Sequence, residues 1–224
     1  MPLTTHDCIT KSMTLPVILV HGFGYDLDPK GSSANQLLWS WEDNLPGINC
    51  RHFLWDSGGE LPWRIFRAWR NGYRNSYRYV YRRLAVLAAR ELTKLIGETG
   101  RCNIICHSIG SRVALLSLYG AHKYKVQRVL FLNGAESVNR AKATVLHRPD
   151  VQFYNAVVEN DFILDKLAEN FTPGGGIGAI GHDGIYGLPN WFNIELPDSV
   201  GHSDSYENSA YWERWRDILV GHSS

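Results

Sequence analysis

The stretch Arg101 to Leu116, RCNIICHSIGSRVALL, changes its hydrophobic period in mid-course, from that of a strand to that of a helix. Asn103 to Cys106 is apolar, with Ile104 and Ile105 β-branched, as in a strand buried on both faces of a parallel sheet. From Ile109 the pattern turns helical, with Ile109, Val113, Leu116 and Leu118 about one turn apart. The reversal falls on Cys106-His107-Ser108-Ile109-Gly110. A serine on such a tight strand-to-helix turn presents its hydroxyl beyond the carboxyl edge of the sheet. The N–H of the next residue then opens a helix, where positive partial charge can receive an oxyanion. Neighbours of that serine must be small, and Gly110, Ser111 and Ala114 are.

The rest of the chain supplies strands to lie beside this one. Leu15 to Val20 (LPVILV) reads as a central buried strand and runs into His21-Gly22-Phe23-Gly24. Ser33 to Trp41 reads as a helix with Leu37, Leu38 and Trp41 on one face and Ser33 as its cap. Asn49 to Trp55 is a second strand, completing the strand–helix–strand unit of a parallel sheet. Val126 to Leu132, Val151 to Val158 and Trp191 to Leu196 continue the sheet, and Tyr206 to Val220 reads as a closing helix. Glu136 to Pro149 is polar and expected to be irregular. A helix is expected over Phe162 to Phe171. Thr172 to Pro189 holds six glycines from Gly174 to Gly184 and one more at Gly187, and reads as a long flexible loop.

One stretch stands apart. Between Arg64 and Arg90 there are eight arginines, and the first acid is Glu91. As a helix, Phe66, Trp69, Tyr73, Tyr77, Val80, Leu84 and Leu87 form an apolar stripe, with Gly72 a place for a kink. Arg64, Arg67, Arg70, Arg74, Arg78 and Arg82 form a basic band beside it. Such a band ordinarily solvates a helix face, and that reading is preferred. The alternative is a basic, aromatic face for nucleic acid or an anionic surface.

A net charge of +1 gives the whole chain no electrostatic bias toward polyanions. The 224 residues suit one domain, taken as 1–224. Four cysteines (Cys8, Cys50, Cys102, Cys106) lack metal-site spacing and read as free thiols. With no apolar leader and no spanning run visible, a cytoplasmic location is expected. No metal and no cofactor are expected, and nothing in the sequence bears on the oligomeric state.

The turn at Ser108 resembles the G-x-S-x-G elbow of the α/β-hydrolase family, with Cys106 in place of the first glycine. The resemblance extends upstream to His21-Gly22-Phe23, similar to that family's H-G-x loop, and covers the chain from about Leu15 onward. It implies a mostly parallel sheet flanked by helices, trimmed at its N-terminus, with little or no lid, as in small esterase- and lipase-like members. By the same resemblance, Ser108 is the nucleophile and the N–H groups of Phe23 and Ile109 are the oxyanion donors. A serine needs a base and the base needs a carboxylate, in the family order serine, acid, histidine. Asp161, in VVENDFI after a strand, is the preferred acid over Asp165 and Glu136. His202, in GHSDSYEN after the last strand, is preferred as base over His182. His21 is expected to be structural, and the ring of His107 to point away from the reaction. The expected activity is cleavage of small carboxylic esters; a thioesterase, amidase or acyltransferase would use the same residues, and a non-catalytic binding module would use the Arg-rich helix 64–90.

Overall fold

The computed structural model describes residues 14–23, 33–57, 79–165 and 178–221. The N-terminal arm with Cys8, the arginines at 64, 67, 70, 74 and 78, and the glycines at 174–176 lie outside them. So do Gly72 and the aromatic residues Phe66, Trp69, Tyr73 and Tyr77.

Six strands form one wholly parallel sheet: β1 (Val17–Val20), β2 (Cys50–Phe53), β3 (Cys102–His107), β4 (Val126–Leu132), β5 (Gln152–Val157) and β6 (Trp191–Glu195). Their spatial order is β2-β1-β3-β4-β5-β6. The chain starts in β1, steps outward to β2, then returns to the other side of β1 and runs on to β6. The direction of winding therefore reverses between β1 and β3, and the crevice beyond their carboxyl ends is where such sheets place ligands.

Alternation along the strands sorts the core into two layers. Ile18, Val20, Ile104, Cys106, Val129 and Phe131 face one side. That side is covered by α2 (Ala85–Thr99), α3 (Gly110–Gly120) and α4 (Val138–His147). Val17, Leu19, Ile105, Leu130 and Leu132 face the other. There α1 (Ser33–Asp43) and α7 (Trp212–Val220) bring Leu38, Trp41, Trp212 and Trp215 onto the sheet.

Four elements depart from the sequence reading. First, Val80–Leu84 is a π-helical turn leading into α2. A π turn takes in extra residues per revolution and so rotates the apolar stripe. The buried residues are Val80, Tyr81, Ala85, Ala88, Ala89, Leu92 and Ile96, whereas Leu87, expected on the stripe, is 55% exposed. Second, residues 138–147 form a helix, not an irregular connection, because Val138, Ala141 and Val145 recur at helical spacing and bury on the sheet. Third, the glycine-rich stretch contains a short helix, α5 (Ile180–Asp183), bound into the core and not free. Ile180 N–H donates to Glu136 O and Gly181 N–H to Gly134 O, while Gly181 O accepts from Val158 N–H. A Cβ on Gly181 would lie 2.5 Å from Gly134 N, so only glycine permits this approach. Fourth, the closing helix is divided into α6 (Asp204–Glu207), a 3₁₀ turn (Ser209–Tyr211) and α7. Asn208 makes the division, its side chain accepting from Ala210 N–H as a cap. Among the described residues no helix is long and apolar enough to cross a membrane.

Candidate active site

Ser108 stands between β3 and α3 with φ at 50°, in the left-handed region that costs an L-residue about 1–2 kcal/mol. The surroundings hold it there. Its N–H donates to Leu132 O at 3.0 Å, and its own carbonyl accepts from Ala135 N–H at 2.9 Å and from Ser111 Oγ at 2.7 Å. Ile109 is the N-cap of α3, so its N–H belongs to the positive end of that helix. Gly110 faces β1 closely: a Cβ there would stand 2.6 Å from His21 O and 2.9 Å from Val20 O. Gly22 faces the serine from the β1 side, a Cβ there lying 3.1 Å from the Ser108 Cβ and 2.9 Å from His107 Nδ1. The ends of β1 and β3 thus meet over glycine, and Phe23 follows directly, packed against the core.

His21 is buried and stacked on Trp55, with ring centroids 5.5 Å apart. Trp55 N–H donates to its Nε2 at 3.2 Å, so the ring proton is on Nδ1, directed at Gly22 O at 3.0 Å. Burial pushes its pKa down to about 4, against the weaker opposing pull of these hydrogen bonds. It fixes the loop that carries Gly22 and Phe23.

Asp161 follows β5 and is buried to 1% exposure. Its Oδ1 accepts from the N–H groups of Ile163 and Leu164 at 3.0 and 3.1 Å, which caps the helical turn at 162–165. Its Oδ2 accepts from His202 Nδ1 at 2.7 Å and from Asn133 Nδ2 at 2.9 Å. Burial raises its pKa, but the bonds from His202, Leu164 and Asn133 outweigh burial and hold it below the usual carboxylate range. With Nδ1–H committed to the acid, Nε2 of neutral His202 is the nitrogen left to accept a proton.

His202 follows β6 and lies against the residue that precedes Ser108. His107 Nε2–H donates to His202 O at 3.1 Å, and the two rings are 4.8 Å apart. The resemblance implied a His107 ring turned away; it is instead packed between His202 and Tyr206. Burial, with His202 beside it, drives the pKa of His107 well below the usual value, so it is a neutral spacer.

The other candidates are engaged elsewhere. Both oxygens of Glu136 are occupied, Oε2 by Arg112 Nη1 at 2.7 Å and Oε1 by Tyr81 OH and by Ser137 N–H at 2.7 Å. The guanidinium of Arg112 also lies 3.9 Å over the Tyr81 ring. His182 directs Nδ1 at Asp183 (2.5 Å) and has Nε2 3.4 Å from Asp165. It borders a cleft of about 410 Å³ with Glu159, Glu195 and Asp198; Ser108, Asp161 and His202 do not line that cleft. Among the described residues no cluster of three or more His, Cys, Asp or Glu could hold a metal ion. Cys50, Cys102 and Cys106 are free thiols.

The sequence reading assigns Asn133 no role. The signal was available: asparagine is the residue besides glycine that most readily takes a left-handed conformation, and here φ is 48°.

No protein-family model matches the sequence. No curated protein matches it either. Solved structures do. A candidate hydrolase of the α/β superfamily from Xanthomonas campestris is 14% identical over 91% of this chain and 96% of its own, with a TM-score of 0.45. A protein from a study of carboxylesterases of the thaumarchaeon Nitrososphaera gargenis is 14% identical over 94% and 90%, with a TM-score of 0.49. A candidate YdeN-like hydrolase from Pectobacterium atrosepticum is 14% identical over 94% and 91%, at 0.43. The chain's own strand order, with a tight serine turn after β3, gives it the α/β-hydrolase fold.

Proposed function

We propose that the protein is a serine hydrolase that cleaves carboxylic esters through an acyl-enzyme, with Ser108 as nucleophile, His202 as base and Asp161 as its partner. The observation that carries this reading is the His202–Asp161 pair, bonded at 2.7 Å against the turn that holds Ser108 at positive φ. Ser108 Oγ attacks the acyl carbon and passes its proton to His202 Nε2. Asp161 keeps the proton on Nδ1 and stabilises the imidazolium so formed. The negative charge of the tetrahedral intermediate is received by the N–H groups of Phe23 and Ile109, each worth about 3 kcal/mol in such chemistry. His202 then protonates the leaving alcohol, and water enters by the reverse sequence to release the acid.

A fluorophosphonate probe tests this directly, because it reacts with an activated serine whatever the natural acyl group. Peptide mapping is expected to find the label on Ser108 of the wild type and no label in Ser108→Ala. A folded wild-type protein that takes no label would reject the reading.

A further inference from the structure

Asn133 follows β4, which lies in the sheet between the strand that ends in Ser108 and the strand that leads to Asp161. It is fully buried and has a left-handed backbone, with φ at 48°. Two hydrogen bonds flank it: Leu132 O accepts from Ser108 N–H, and Ala135 N–H donates to Ser108 O. The segment around Asn133 therefore clasps the serine's own peptide groups. On the other side its Nδ2 donates to Asp161 Oδ2, the oxygen that also accepts from His202 Nδ1. Its Oδ1 is buried with no hydrogen-bond partner among the described residues.

These features separate what the backbone needs from what the side chain does. Glycine would take this φ without strain and would leave no unpartnered oxygen. The carboxamide is thus unfavourable locally in two ways, and its one hydrogen bond goes to the acid. We propose that Asn133 is a positioning residue that holds Asp161 in register with His202 and draws off part of the carboxylate's charge. This rests on the assignment of Ser108, His202 and Asp161 made above.

The consequence follows from the shared oxygen. With Asn133 in place, Asp161 Oδ2 divides its charge between two donors; without it, His202 alone faces that oxygen, and the imidazolium is favoured. The other groups facing His202 do not offset this. His107, from β3, is held neutral by burial, and Asp204, the first residue of α6, is engaged with Gly201 N–H. Since the base acts in its neutral form, loss of the carboxamide moves the acid limb of the rate profile to higher pH.

The test uses Asn133→Gly, which keeps the backbone and deletes the carboxamide, and Asn133→Asp, which tolerates the same φ and sets a second carboxylate against the first. Hydrolysis of p-nitrophenyl acetate is followed across pH, and the His202 ring is titrated by NMR. Asn133→Gly is expected to lower kcat about tenfold, the effect of one hydrogen bond to a charged group, with KM little changed. The acid limb and the His202 midpoint are expected to rise, and further in Asn133→Asp. Wild-type kcat with an unmoved acid limb in Asn133→Gly would overturn the proposal. The NMR midpoint decides it independently of turnover. If wild-type Ser108 takes no fluorophosphonate label, the hydrolase reading falls, and an unmoved midpoint would still refute the role given to Asn133. Should Asn133→Gly fail to fold, the same two readings on Asn133→Asp decide.

Discussion

The loop that leaves β1 is held by a histidine that must stay neutral, and this makes acid the simplest perturbation of the fold. His21 is buried, with a pKa near 4 in the folded protein, against about 6.5 for a solvated imidazole in the unfolded chain. Between those values the unfolded state binds the proton and the folded state does not, so stability falls as pH falls. Linkage over that interval amounts to about 2 kcal/mol lost by pH 5 and about 3 kcal/mol by pH 4, and little more below. His107, whose pKa is also lowered by burial, acts in the same direction. Asp161, held below its usual range, loses its contribution only as pH falls through the carboxylate range, under most of this window. Urea unfolding at pH 7, 6, 5 and 4 measures the total. His21→Asn, which keeps a donor where Nδ1 meets Gly22 O and has no group that titrates in this range, isolates the histidine. The wild type is expected to be the more stable at pH 7, and its advantage to shrink by about 3 kcal/mol at pH 4. An advantage that does not change with pH would refute the argument, since it would mean His21 protonates as readily folded as unfolded.

Other outcomes follow from the same geometry. Asp161→Asn removes the charge that fixes the His202 tautomer, and the rate of ester hydrolysis is expected to fall on the order of 10⁴-fold. Ser108→Gly, which relaxes the φ of 50°, is expected to abolish labelling yet melt higher than Ser108→Ala, by about 1 kcal/mol of stability. Arg112→Met leaves the buried Glu136 carboxylate with only the longer 3.9 Å contact to Arg140 as an ion pair, and is expected to cost about 3 kcal/mol in urea unfolding. Adding Glu136→Leu to that variant should restore most of the loss.

The parts of this architecture that could be read from the sequence are those whose cause is local. β4 runs over Val126–Leu132 as its apolar run suggests, and the turns at Ser108, Asp161 and His202 fall where apolar runs give way to polar residues. Parallel strands buried on both faces write themselves into sequence as apolar blocks. What was illegible depends on partners far along the chain. The π turn at Val80–Leu84 shifts the buried face by about one residue, and no composition signals it. Helix α4 carries Asn139, Arg140 and Lys142 on its outer side, which made a packed helix look like a polar connection. The stretch around Gly181 looked mobile because glycine is permissive; here it serves close packing against Asn133 and Gly134. Asn133 carries a local signal for its left-handed turn, but its role is defined only once β3, β4 and β5 are side by side.

The elbow departs from the usual pattern at its first glycine, and the two pattern positions are not equivalent. Cys106 points into the layer beneath α2 and α3, where Sγ donates weakly to Leu130 O at 3.6 Å, and burial pushes its thiol pKa far above the usual range. A side chain there meets sheet neighbours and not the turn. Gly110 faces the opposite constraint, with the backbone carbonyl oxygens of Val20 and His21 inside 3.0 Å of any Cβ. Those oxygens cannot rotate away, so Gly110→Ala must push α3 off the end of β1 and part Ile109 from Gly22 and Phe23. Cys106→Gly is expected to cost about 1–2 kcal/mol of stability through lost burial and added chain freedom, and to leave the labelling rate of Ser108 unchanged. Gly110→Ala is expected to slow labelling at least about 100-fold, the effect of one misplaced oxyanion donor. Labelling of Gly110→Ala at the wild-type rate would show that contact between the ends of β1 and β3 is not what assembles the site.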